Sequence, residues 1–256
     1  MNDQLKVALI QPELTWHKPE ANFQSVASLI SEIDETDLIL LPEMWSSGYT
    51  MQAHKYHSST ARALELMQGW AANKKALVIG SLITQINDAY YNRLYIVSDK
   101  GVEQVYDKKH LFGFAGEDRV FTSGSDQLIF EHKGWRICAN ICYDLRFPVW
   151  ARNTTDYDVL LYVANWPNPR LNAWDNLLKA RAIENQAYVL GANCYGKDAW
   201  NNEYSGHSAV IDSFGYQLTE TIESSGVIRA TLDKKHLAEA RSKFPFLKDR
   251  DGFSLH

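Results

Sequence analysis

The chain has 256 residues, 45% hydrophobic and 22% charged, enough for a buried core and compatible with one α/β domain over residues 1–256. A net charge of −5 gives no reason to expect nucleic acid or an anionic membrane as a partner, and no stretch approaches the roughly 18 apolar residues of a membrane span. The opening, Met1 to Ile10, has only a short apolar run and an acid, unlike a secretory leader; three cysteines in so long a chain argue against a disulfide scaffold and for a reducing, cytoplasmic setting.

Val7-Ala-Leu-Ile10 reads as a buried strand closed by Gln11-Pro12. Lys18-Pro-Glu20 starts a helix, with proline early and acid in the first turn, and Phe23, Val26, Ile30 and Ile33 follow at helical spacing. Leu38 to Leu41 is the next strand, a second helix carries Leu64, Met67 and Ala71 on one face, and Leu77 to Gly80 is apolar again. Tyr90 to Ser98 and Val102 to Tyr106 flank Asp99-Lys-Gly101, and Leu128 to Phe130 and Trp135 to Ile141 flank His132-Lys-Gly134, so two hairpins are expected. Val159 to Val163 is a strand ending in Ala164-Asn-Trp166. A helix is predicted over Trp174 to Ala187, strands over Val189 to Ala192, His207 to Ile211 and Gly226 to Leu232, and a short helix from Asp233. Helices separated by apolar strands call for a sheet covered by helices, and the hairpins make it mixed. The two halves echo one another: Asp37-Leu-Ile-Leu-Leu-Pro-Glu43 and Asp158-Val-Leu-Leu-Tyr-Val-Ala-Asn165 each run acid, apolar strand, polar group.

Three apolar runs end in chemistry. Cys142 closes Trp135 to Ile141 and is followed by Tyr143-Asp-Leu-Arg-Phe-Pro148, which puts a thiol on a sharp corner beside backbone N–H groups. A cysteine in an apolar run is usually a small buried hydrophobe, and Cys138 and Cys194 read that way. Four residues of strand separate Cys138 from Cys142 by about 13 Å, beyond the roughly 7 Å that a disulfide allows. The same separation excludes a shared zinc, and no Cys/His cluster has metal-ligand spacing, so no metal is expected. Glu43, after Leu38-Ile-Leu-Leu-Pro42, is either a solvated loop acid or a half-buried base with a raised pKa at the ligand-binding end of a sheet. Lys108 and Lys109 are either a surface pair or the source of an ammonium that stabilises a tetrahedral intermediate. Of the eight histidines, only His110 and His207 are flanked by structure that would let them serve a cysteine as base.

Leu-Pro-Glu43, Tyr-Asp-Lys108-Lys-His-Leu-Phe112 and Ile-Cys142-Tyr-Asp-Leu-Arg-Phe-Pro148 together resemble, in order and spacing, the three catalytic motifs of the nitrilase, or carbon–nitrogen hydrolase, superfamily. The likeness runs from Val7 to about Leu232. It implies a four-layer α-β-β-α sandwich with two mixed β-sheets, commonly paired as a homodimer or higher homo-oligomer. It also implies a Glu43–Lys108–Cys142 triad, Lys108 rather than Lys109, and Glu117 as the second glutamate, with Asp118 as the neighbouring register. Cys142-Tyr-Asp-Leu-Arg-Phe-Pro148, Ala164-Asn-Trp-Pro167 and Arg181-Ala-Ile-Glu-Asn-Gln-Ala-Tyr188 most resemble the omega-amidase branch, which hydrolyses the terminal amide of short dicarboxylate monoamides such as alpha-ketoglutaramate. Asp107 departs from the pattern, since many relatives carry arginine there.

The mechanism implied is acyl transfer without cofactor or metal. Glu43 deprotonates Cys142, Lys108 and the Tyr143 N–H hold the oxyanion, Glu117 orients base or amide, and a thioester on Cys142 is then hydrolysed. Tyr49, Arg146 and Trp166 are candidate contacts for the small amide substrate, with Arg170 as an alternative carboxylate clamp. The rivals are N-carbamoyl amino acid or aliphatic amide hydrolysis, nitrile hydrolysis, a papain-like Cys–His enzyme, and a non-catalytic binding module.

Overall fold

The computed structural model describes residues 3–255; Met1 and Asn2 of the opening segment, and His256, lie outside the described residues. In chain order the elements are β1 (Gln4–Gln11), α1 (Pro19–Ser31), β2 (Leu38–Leu40), α2 (Ala53–Tyr56), α3 (Ser59–Lys74), β3 (Leu77–Ile86), β4 (Ala89–Ser98), β5 (Gly101–Asp107), β6 (Leu128–His132), β7 (Trp135–Ile141), β8 (Val159–Val163), α4 (Leu171–Asn185), β9 (Tyr188–Ala192), β10 (Tyr195–Lys197), β11 (Glu203–Ser205), β12 (Ala209–Ile211), β13 (Gly226–Asp233) and α5 (Lys234–Lys243).

Two mixed sheets form. One has the order β13-β1-β2-β3-β4-β5 and the other β12-β9-β8-β7-β6, while β10 and β11 pair as a separate hairpin. Within each sheet three central strands are parallel, β1-β2-β3 and β7-β8-β9, and the outer strands join antiparallel. The alternation of side chains along β1 decides the layers. Val7 and Leu9 face the second sheet, in one core with Ile137, Leu161 and Leu190. Ala8 and Ile10 face the other way, against Phe23, Val26 and Ile30 of α1 and Ala63 and Met67 of α3. Trp174, Leu178 and Ala182 of α4 cover the far face of the second sheet. The result is the expected four-layer α-β-β-α sandwich.

The echo between halves is structural. Asp37 accepts the N–H of Lys6 on the neighbouring strand at 2.8 Å, and Asp158 accepts that of Arg136 at 3.0 Å. Each donates its own N–H back to the same residue's carbonyl, at 2.9 and 2.8 Å. The partners then cross: Lys133, on the turn between β6 and β7, pairs with Asp37, and Lys234, after β13, pairs with Asp158 at 3.0 Å. Each half is therefore fastened by a lysine of the other sheet.

Three local features differ from the sequence expectation. The strand from Leu77 extends to Ile86 and turns back through Asn87, whose φ of 52° suits a short polar residue. The fourth helix starts at Leu171, three residues before Trp174, and stops at Asn185 because Gln186 is left-handed (φ 42°). The β10–β11 hairpin escapes pattern reading, since its strands are three residues each and carry no apolar alternation.

Candidate active site

Glu43, Lys108, Cys142 and Asn165 stand just beyond the ends of β2, β5, β7 and β8, and the stacking of the two sheets brings these ends together. Cys142 takes φ 44° and begins a short 3-10 turn to Arg146. A left-handed non-glycine residue needs the surroundings to hold it, and Asp144 does so. Its buried carboxylate accepts the Ile141 N–H at 3.0 Å, the Tyr106 hydroxyl at 2.8 Å, and the N–H and Nδ1 of His110 at 2.9 and 2.8 Å. At the start of the turn, the Tyr143 N–H has no carbonyl of the turn behind it to bond. His110 is thus committed to Asp144, and His207 pairs with Asp175 at 3.1 Å. Neither serves Cys142, which removes the papain-like reading. The charge that bears most on the thiol is that of Glu43.

Lys108 Nζ donates to Glu43 Oε1 at 2.8 Å and to Glu117 Oε1 and Oε2 at 3.0 and 2.9 Å. Glu43 and Glu117 are fully buried and Lys108 is 1% exposed. Lys109 instead lies over the Trp150 ring, 5.3 Å from its centre, outside this cluster. Of the two neighbouring acids, Glu117 is buried in the cluster and Asp118 is exposed. Glu117 Oε2 further accepts the Phe112 N–H at 2.6 Å and the Tyr49 hydroxyl at 3.2 Å. Asp107, the departure from the family pattern, forms a two-pronged pair with Arg93 across the strands, both contacts at 2.7 Å, and leaves the charge at Lys108 alone.

Two further residues complete the shell. Asn92, buried in β4, donates to Glu43 Oε1 at 2.7 Å and to Glu117 Oε1 at 3.1 Å, and its side-chain Oδ1 accepts the Ser81 hydroxyl at 2.9 Å. Asn165 donates its backbone N–H to Glu43 Oε2 at 3.0 Å. Motif reading missed Asn92. Its only signal is an amide inside an apolar β-run, where an unpaired polar group would be costly.

Burial in the dry site raises the Glu43 carboxyl above its ordinary range, with Lys108 pulling it back and Glu117 adding to the rise. Burial likewise raises the Cys142 thiol well above its usual value, reinforced by the Glu43 charge. For Lys108 burial works against the ammonium, but Glu117 and Glu43 together outweigh it and hold the proton firmly. Burial thus favours the neutral forms of the thiol and of Glu43, while the two glutamates favour the charged form of Lys108.

Lys108 and Cys142 open into a small chamber of about 40 Å³, walled by Tyr49, Phe112, Tyr143, Arg146, Trp166 and Arg170 among others. At about 10–15 Å³ per water on this measure, it holds a primary amide and little more. It leads outward, past Tyr49, Phe112, Arg170 and Tyr204, into a vestibule of about 430 Å³. The Arg146 guanidinium lies 5.0 Å from the Trp166 ring centre and that of Arg170 5.1 Å from Phe112. Among the described residues, no group of three or more His, Cys, Asp or Glu side chains has the arrangement of a metal site.

Residues 6–242 match the carbon-nitrogen hydrolase family, and the chain belongs to that family. It is 42% identical over 253 residues, 98% of each chain, to a protein of Escherichia coli named omega-amidase YafV. It is 35% identical to a 2-oxoglutaramate amidase of Bacillus subtilis, covering 95% of this chain and 96% of that one. Among solved structures, a CN-hydrolase superfamily protein of Xanthomonas campestris with an arsenic adduct in its active site superposes with a TM-score of 0.95 at 37% identity, over 99% of both chains.

Proposed function

We propose that this chain is an omega-amidase that hydrolyses the terminal amide of short dicarboxylate monoamides, alpha-ketoglutaramate being the representative substrate, to the dicarboxylate and ammonia. The observation that carries the reading is a cysteine and an ammonium facing a small chamber with two arginines on its walls, the ammonium backed by the buried Glu43 carboxylate. The relatives named omega-amidase and 2-oxoglutaramate amidase support it.

Glu43 takes the Cys142 proton as the sulfur attacks the amide carbon. The oxyanion is held by the Lys108 ammonium and the Tyr143 N–H, and Glu117, which carries two of the Lys108 bonds, keeps that ammonium in place. Glu43 returns the proton to the amide nitrogen, the C–N bond breaks, and ammonia leaves a thioester on Cys142. Water then gives a proton to Glu43 and attacks the thioester; the C–S bond breaks and the sulfur recovers the proton. The substrate's far carboxylate extends toward the vestibule and meets Arg170, which lines the passage between the two spaces, with Arg146 on the chamber wall as the alternative.

Ammonia release from succinamate, alpha-ketoglutaramate, a carbamoyl amino acid and a simple aliphatic amide is the deciding experiment. Fastest turnover of the first two supports the reading. Preference for the carbamoyl or uncharged amide assigns another chemistry of the same family.

The same proposal places the enzyme in the cytoplasm as one domain and as a homodimer. Ile183, Phe214 and Phe246 are exposed on the α4 side, and Phe244 packs edge-on to Phe214 and stacks with Phe246. Covering this apolar face suits a second copy. Light scattering on the wild type and on Phe246→Asp tests it; a monomeric wild type overturns it.

A further inference from the structure

Cys194 is buried and remote from the chemistry by sequence, yet its Sγ donates to Asn165 Oδ1 at 2.9 Å. That bond fixes which end of the Asn165 amide is the oxygen. The NH₂ end then donates to the backbone carbonyl of Glu43 at 2.5 Å, the Asn165 N–H donates to Glu43 Oε2 at 3.0 Å, and the Glu43 N–H reaches the Ala164 carbonyl at 3.4 Å. The end of β8, on one sheet, thus clips the base that follows β2 on the other, at its carbonyl, its N–H and its carboxyl. We propose that Cys194 and Asn165 are positioning residues for the general base: the thiol locks the amide, and the amide locks Glu43 in the orientation that receives the Cys142 proton. The inference rests on the amidase reading only for the identity of the reaction, since the clip itself belongs to Glu43 and Cys142.

The alternative is that Cys194 merely fills space. The physical difference is a donor. A thiol deep in the fold stays protonated, because burial raises it well above its usual range with the Glu43 charge adding to that. It keeps its S–H for donation toward Oδ1, the pairing the structure shows. Without it the amide is free to flip, which would set Oδ1 against the Glu43 carbonyl, oxygen to oxygen, and release the clip. Asn193 anchors the next residue in the same manner, accepting the Trp166 N–H at 2.7 Å and donating to the Trp166 carbonyl at 3.0 Å, so the loop itself stays in place when Cys194 is changed.

The test compares Cys194→Ala, which removes the donor, with Cys194→Ser, which keeps one. The titratable groups facing Glu43 are Lys108, Glu117, Cys142, Tyr49 and Cys194, and none but the last is altered. Loss of one hydrogen bond predicts a fall in kcat of about five- to tenfold for Cys194→Ala, with KM unchanged. The acid limb of the pH profile moves upward, because a carboxylate with weaker support binds its proton sooner. Cys194→Ser recovers most of the loss. Iodoacetamide alkylation of Cys142, located by mass spectrometry across the same pH range, reads the base without any amide substrate and must shift in parallel. Wild-type kcat and alkylation profile in Cys194→Ala, or an equal loss in Cys194→Ser, overturns the proposal. If Cys194→Ala does not fold, Asn165→Ala, which removes the donor to the Glu43 carbonyl without adding a charge, takes its place: the same fall in kcat and the same alkylation shift are expected, and wild-type values for both overturn the proposal. A chain that turns over no monoamide but shows the alkylation shift retains the clip and loses the omega-amidase assignment.

Discussion

Replacing Lys108 by methionine is the sharpest perturbation of this site. Lys108 is the one cation held between Glu43 and Glu117, all three at 1% exposure or less, with three contacts of 2.8 to 3.0 Å. Methionine keeps the stem and removes the charge, leaving two carboxylates in a dry pocket. Breaking a buried pair by deleting one partner costs about 3–5 kcal/mol. For a chain of this size that lowers Tm by roughly 6–20 °C, read by calorimetry or circular dichroism, and turnover is lost with it. The pH dependence has a definite sign. Burial already raises Glu43 in the folded state, and Lys108 is what pulls it down. Without Lys108 it rises further. A group whose folded pKa is raised supports the fold fully below its unfolded value, near 4.3, and less as pH climbs through the raised one. The gap between wild type and Lys108→Met is therefore larger at pH 8 than at pH 5. The double change Lys108→Met with Glu117→Gln removes one surplus charge and regains roughly half of the lost stability without restoring activity. A Lys108→Met protein that melts within about 1 kcal/mol of wild type, or whose deficit grows on acidification, refutes the reasoning.

Cys142→Ala is expected to melt close to wild type and release no ammonia above background; retained turnover would remove the thioester from the scheme. Arg170→Ala should raise KM for carboxylate-bearing monoamides about 10- to 100-fold, the worth of one charge-assisted contact, and leave an uncharged amide of similar size unaffected; equal losses on both would make the arginine structural. Gly124→Ala should lower both Tm and kcat, because the new Cβ would stand 2.2 Å from the Asp107 carbonyl, and Gly124 N–H holds the Lys108 carbonyl at 2.9 Å. The expected cost is about 1–3 kcal/mol, and an unchanged melt would show that the loop yields freely.

The strands that carry the chemistry are legible because each is an apolar run with an abrupt polar end, and that pattern is local. The choice between Lys108 and Lys109 is not legible in that way: it follows from the likeness to the family's motif, and it is the structure that places Lys108 inward with Tyr106 while Asp107 and Lys109 are half-buried. What is not legible depends on strands far apart in sequence lying side by side. Asn92 reads as an ordinary strand residue until β4 pairs with β3 and faces Glu43. Asn165 and Cys194 acquire meaning only when the ends of β8 and β9 meet the end of β2 on the opposite sheet. Cys194 reads as a small buried hydrophobe, and its burial agrees with that, but burial alone does not tell whether its hydrogen points at an acceptor. The end of α4 eludes pattern reading for a different reason: Gln186 sits in a backbone well that glutamine seldom occupies.

The division of the reactive groups between the two halves has a consequence for the chain as it is made. On the proposed mechanism the base and its ammonium come from the first sheet and the sulfur from the second, and the crossed lysine fastenings join the two. A nascent or partly melted chain carries an ordinary, unassisted thiol, so hydrolytic power arrives only with closure of the last layer. Enzymatic rate is accordingly a more stringent gauge of complete assembly than helical or sheet content, and on heating it should vanish before either.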